Sequence, residues 1–148
     1  MIREDVREEA EIIRHSGEIP EVAFWNSIYY LTSDEEGPLL KLTSQEIRHL
    51  KKAVVERYLI IIERDLTVEN IGKSFYRGVS RAMVNWERLS SFARREGFSQ
   101  EALRQQVIEK FRRFLREISS NSLKIDVPSG KLASWLRKRL ACSPQILS

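Results

Sequence analysis

Leu42-Thr43-Ser44-Gln45-Glu46-Ile47-Arg48-His49-Leu50, running on through Val54 and Tyr58-Leu59-Ile60-Ile61-Ile62 to Leu66, is the stretch that decides the fold. Thr43 and Glu46 stand three residues apart, the spacing at which each side chain accepts a hydrogen bond from the other's backbone amide at a helix start. Leu42 and Ile47 occupy the two positions of a hydrophobic staple. Ile47, Leu50, Val54, Tyr58 and Ile61 then recur every three or four residues, the period of one helix face. These signals predict a helix over 43–65, central because Tyr58 to Ile62 is apolar all round. A short strand is the competing reading of so brief an apolar run.

The same grammar extends in both directions. Residues 2–15 predict a helix with a thin apolar stripe, Ile2, Val6 and Ile13, among the acids of residues 4–11, a stripe that docks on something else or frays. Pro20 begins a second helix over 20–32, at the position where its missing N–H costs nothing. Phe24, Trp25, Ile28, Tyr29 and Leu31 load this helix, and no charge follows Glu21, so it reads as a core helix. Residues 33–42 form a loop around Gly37-Pro38. Leu66 and Ile71 make a second staple around Thr67, an N-cap for a fourth helix over 68–96. Its stripe is Ile71, Phe75, Val79, Ala82, Trp86, Leu89 and Ala93, with Gly72 and Gly78 inside it, and Gly97 closes it. Phe98-Ser99 opens a fifth helix to 120, with Leu103 as staple partner and Val107, Phe111, Phe114, Leu115 and Ile118 completing its stripe. Leu123 to Val127 alternates, as a two-turn connector or a lone edge strand would. A short helix over 131–140 follows. With only 6 Gly and 4 Pro in 148 residues, breakers are too few for many short strands. The fold class expected is all-α, a single-domain bundle or orthogonal array of five to six helices over 1–148. Residues 1–16 are an acidic, loosely docked helix in this reading and 141–148 a flexible tail.

Little of the chemistry-bearing inventory is present. One cysteine, Cys142, forms no internal disulfide, which excludes a disulfide-stapled fold. His15 and His49 are single histidines without the clustered partners that zinc requires. Gly72-Lys73-Ser74 resembles the end of a phosphate-binding loop, but the glycine that loop needs five residues earlier is Thr67. No cofactor, metal or catalytic residue is expected; an enzyme with an unrecognised site is the minor alternative. The acidic start, Arg3-Glu4-Asp5, is unlike the basic start of a signal peptide. No apolar run approaches the roughly 20 residues of a membrane span, so cytoplasm is the expected location. The 131–140 segment, with Trp135, is basic and amphipathic but short for a membrane-surface anchor.

Charge is the most informative pattern. Residues 1–70 carry 9 Lys+Arg against 15 Asp+Glu, a net −6, and residues 71–148 carry 16 against 6, a net +10. On an ideal helix Lys73, Arg77, Arg81, Arg88 and Arg95 share about one quarter of the circumference over ~33 Å, with no acid in the sector. The fifth helix adds Arg112, Arg113 and Arg116. The expectation is a non-enzymatic helical interaction protein that docks this basic face on an acidic protein surface or on a second copy of itself. The acidic first helix is one candidate to lie along the stripe, within one molecule or across a dimer. Nucleic acid is the alternative partner: clustered cations release counterions from phosphates, and Phe75, Tyr76 and Phe92 are candidates to stack on bases. No helix-turn-helix pattern accompanies them.

Overall fold

The computed structural model describes residues 2–33, 42–67 and 75–120. Every described element is a helix: α1 Glu4–His15, α2 Pro20–Thr32, α3 Ser44–Asp65, α4 Phe75–Glu96 and α5 Gln100–Ser120. The fold is all-α with five helices. Tyr58 to Ile62 is helical, so the strand reading of that run is corrected; its neighbours supply the helix period and cap that a five-residue strand would lack. The 123–127 segment, the helix expected over 131–140, Cys142 and the tail lie outside the described residues, as do Lys73 and Ile71.

The chain divides into two compact units, Met1–Ile60 and Ile61–Ser148. The first contains α1, α2 and most of α3. The four residues between α1 and α2 turn the chain back, with the Ser16 hydroxyl accepting a hydrogen bond from the Glu18 amide at 3.0 Å. Four contacts then fix the register. The Ser27 hydroxyl donates to Glu9 at 2.8 Å, which aligns α1 and α2 antiparallel. Arg3 donates to Glu46 at 2.7 Å, and Arg14 pairs with Glu56. Those two bonds start eleven residues apart on one helix and end ten apart on the other, about 16 and 15 Å of rise, so α1 and α3 run parallel. Tyr58 donates to Glu21 at 3.1 Å and brings the start of α2 to the same level of α3. The unit is an up–down–up three-helix bundle.

The thin stripe of α1 is enough to seat it, because Val6, Ala10 and Ile13 are fully buried. The three buried polar residues of this unit, Ser27, Glu46 and Arg57, each make a hydrogen bond, while the buried Nε of Arg57 and one terminal nitrogen of Arg3 make none. Ser27 and Glu46 are bonded as above, and Arg57 donates to the Arg14 carbonyl at 3.2 Å, satisfying one of the orphan acceptors at the end of α1.

The second unit is built on the α4–α5 hairpin. Gly97 adopts φ 75°, the left-handed conformation that closes α4. The Phe98 amide reaches back to the Ala93 carbonyl at 2.9 Å, and the Phe92 and Phe98 rings stack 6.2 Å apart. That bond and ring contact are those of a Schellman motif. Ser99 then caps α5, its hydroxyl accepting from the Ala102 amide at 3.2 Å. Val79, Ala82, Trp86, Leu89, Val107, Ile108 and Phe111 form the buried centre. Ile62 and Leu66 from the last turn of α3 are also buried, and polar contacts tie that turn to the hairpin. Asn85 donates to Asp65 at 3.3 Å and Lys110 to Glu63 at 3.1 Å.

Candidate interaction surfaces

The basic residues singled out in the sequence fall into three groups. Lys73 and the side chain of Arg77 lie outside the described atoms. Arg81, Arg88 and Arg95 stand exposed on α4 in one sector, with Arg94 exposed beside it and Val84, 44 % exposed, among them. Their exposure follows from α4's pattern: Val79, Ala82, Met83, Trp86, Leu89 and Ala93 occupy the opposite half of the helix and are buried. Among the described residues no acid pairs with Arg88 or Arg94. Arg81 acts at a distance on Asp65, whose carboxyl burial pushes above the usual range, against the Asn85 hydrogen bond and the Arg81 charge, which lower it.

The α5 cations are different. Arg112 lies 3.6 Å and Arg116 2.8 Å from Glu109, and Arg113 lies 3.7 Å from Glu63, which Lys110 also contacts. These arginines are neutralised in part by acids of their own unit. Exposed pairs contribute only about 0–1 kcal/mol each, but they lower the field that Arg112, Arg113 and Arg116 present to a partner. The structure thus separates six of the eight residues that the sequence grouped. Arg88 has no acidic partner among the described residues, whereas the α5 set shares its charge with Glu109 and Glu63. Glu63, Leu66, Thr67, Lys110, Arg113, Phe114 and Glu117 line a cleft of about 130 Å³ in this unit.

Phe92 is 3 % exposed and stacked on Phe98, so it is unavailable to stack on a base, which corrects one part of the nucleic-acid expectation. His15 sits exposed 3.4 Å from Glu11, an (i, i+4) surface contact, and His49 is half-buried on α3. Among the described residues no group of three or more His, Cys, Asp or Glu is placed to hold a metal ion. No described helix is long and apolar enough to cross a membrane.

The surface that sequence reasoning missed is on α2. Expected as a core helix, α2 is one-sided. Ala23, Phe24, Ser27 and Leu31 are buried, whereas Trp25 is 64 %, Tyr29 74 % and Tyr30 69 % exposed. The small residues Ala10, Ala23 and Ser27 are buried in this hairpin, and the large rings are left outside. That pairing of small residues inward with aromatics outward was the available signal. It does not discriminate on its own, since a helix of 13 residues whose one charge is Glu21 in its first turn reads equally as buried all round or as an interface.

Residues 2–134 match a family model described as a repeat of unknown function, DUF7826. No curated protein and no solved structure matches the chain.

Proposed function

From its membership of the DUF7826 family of repeats, to which this chain belongs across 2–134, and from its own surface, we infer that the protein is a non-enzymatic helical interaction module. Its basic α4 face docks an acidic protein surface or a second copy of the chain. The observation that carries this reading is the exposure of Arg81 and Arg88 on one sector of α4, in a unit where Arg104, Lys110, Arg112, Arg113 and Arg116 are engaged by Glu101, Glu63 and Glu109. The unit Ile61–Ser148 holds 17 Lys+Arg against 9 Asp+Glu, a net +8. Charge of one sign on a helix face speeds encounter with an acidic partner and selects its orientation more than it adds affinity.

Fluorescence-anisotropy titration of the full chain with a labelled oligoglutamate peptide, beside labelled DNA and RNA oligonucleotides, tests this at about 50 and 200 mM salt. Binding of the acidic peptide at the lower salt is expected, and the double substitution Arg81→Glu/Arg88→Glu should weaken it at least about tenfold, 1.4 kcal/mol. Binding of an oligonucleotide far more tightly than of the peptide, falling by orders of magnitude at the higher salt, would transfer the face to nucleic acid. No binding of any probe would remove the acidic-partner reading.

A further inference from the structure

Six of the seven large apolar residues exposed among the described residues, Ile12, Ile19, Val22, Trp25, Tyr29 and Tyr30, fall in the α1–α2 hairpin. They form one face. On α2, taking 100° per residue, Val22, Trp25, Tyr29 and Tyr30 lie within about 140° of arc, opposite the buried side. Ile12 follows Glu9 by three residues, so it shares the flank of α1 that touches α2. The Glu9–Ser27 bond sets it level with the turn of Val22 and Trp25. No Lys, Arg, Asp or Glu interrupts this face on α2: Asn26 is its polar member, bonded to Glu18 at 3.1 Å, and Glu21 turns away toward Tyr58. Three rings exposed by about two-thirds present roughly 300–500 Å². That already equals the largest apolar patch an ordinary monomer leaves in water, and it approaches half of the roughly 800 Å² that each partner contributes to a standard interface.

We propose that the α1–α2 aromatic face is covered by a second copy of this repeat, which docks on it with the Arg81–Val84–Arg88 face of α4. The proposal rests on the reading of α4 given above and names its partner. Three observations choose this occupant. The family is described as a repeat, and repeat units leave an apolar face that the neighbouring unit buries. The unit bearing the rings, Met1–Ile60, holds 8 Lys+Arg against 12 Asp+Glu, a net −4, opposite in sign to the unit bearing α4. Guanidinium groups stack on the faces of Trp and Tyr rings, and Val84 is the one large apolar side chain exposed outside the hairpin among the described residues. Joining two different faces gives a head-to-tail contact, which leaves each copy in a pair with a second face open to a further copy.

Sedimentation velocity of the full chain from about 10 μM to the millimolar effective concentrations that linked copies experience tests this with two variants, Trp25→Ser/Tyr29→Ser and Arg81→Glu/Arg88→Glu. All four side chains are exposed, and circular dichroism checks that each variant keeps its helices. The wild type should form concentration-dependent oligomers beyond the dimer. Each variant alone should sediment as a monomer, and an equimolar mixture should give a heterodimer, because each partner retains one intact face. Four results would overturn the proposal: a wild type that stays monomeric throughout, an aromatic-face variant that still associates, an arginine variant that still associates through the rings, or a mixture without heterodimer. If these assembly results fail while the arginine variant still loses the oligoglutamate peptide, the α4 reading stands and only the choice of a second copy falls.

Discussion

Glu46 is 3 % exposed, yet it remains a carboxylate because its oxygens are matched. The Thr43 amide donates to it at 2.9 Å, while its own amide donates to the Thr43 hydroxyl at 3.1 Å, and Arg3 closes the set. These contacts, the Thr43 amide first and Arg3 next, hold its carboxyl below the usual range. A carboxyl whose folded pKa lies below its unfolded value contributes stability above the unfolded value, about 4.3, and that contribution is lost as pH falls through the folded pKa. Urea unfolding between pH 7 and pH 3 should therefore show a shallower acid loss in Glu46→Gln than in the wild type. Glu46→Ala should lower stability at pH 7 by about 1–3 kcal/mol, the cost of removing an ionised partner of buried donors. A Glu46→Gln curve parallel to the wild type would count against this assignment. The Thr43–Glu46 box was legible in the sequence because its members are three residues apart. Arg3, 43 positions away, was not.

At the scale of elements, the boundaries follow from local chemistry. Pro20, Thr43, Gly97 and Ser99 mark ends that the structure places within about two residues of the expected ones, because capping is decided within a turn. Gly97 carries the sharpest consequence. With φ 75° it permits both the 2.9 Å bond from Phe98 to Ala93 and the Phe92–Phe98 stack, so it sets the turn between α4 and α5. Gly97→Ala should cost about 1–2 kcal/mol, the penalty for an L residue in the left-handed region, read as a lower thermal midpoint. An unchanged midpoint would show that the turn does not depend on that conformation. For α2, composition identified a helix and misjudged its environment. Hydrophobicity measures what a side chain prefers, and only the bond of Ser27 to Glu9 on α1 and the burial of Ala23 beside it reveal that Trp25, Tyr29 and Tyr30 are turned out.

For the whole molecule, the charge asymmetry legible in the sequence survives as two units of opposite sign, net −4 and +8. If copies meet ring face to arginine face, their association should weaken as salt rises from about 50 to 500 mM, since screening shortens the reach of exposed charges from roughly 14 to 4 Å, but should persist in part through the apolar rings. Sedimentation at the two salts reads this; association that vanishes at the higher salt would leave the rings no share in it. The sequence by itself determined the all-α class, the positions of five helices and the spacing that sets Arg81 and Arg88 in one sector of α4. Each depends on residues within a few turns of one another, where spacing alone carries the physics. Only the tertiary structure brought Lys110 and Arg113 to Glu63, since Glu63 and Lys110 are 47 positions apart. It alone decided which face of α2 meets water, because burial is a property of the neighbours that a helix finds in space, and its order along the chain does not state them.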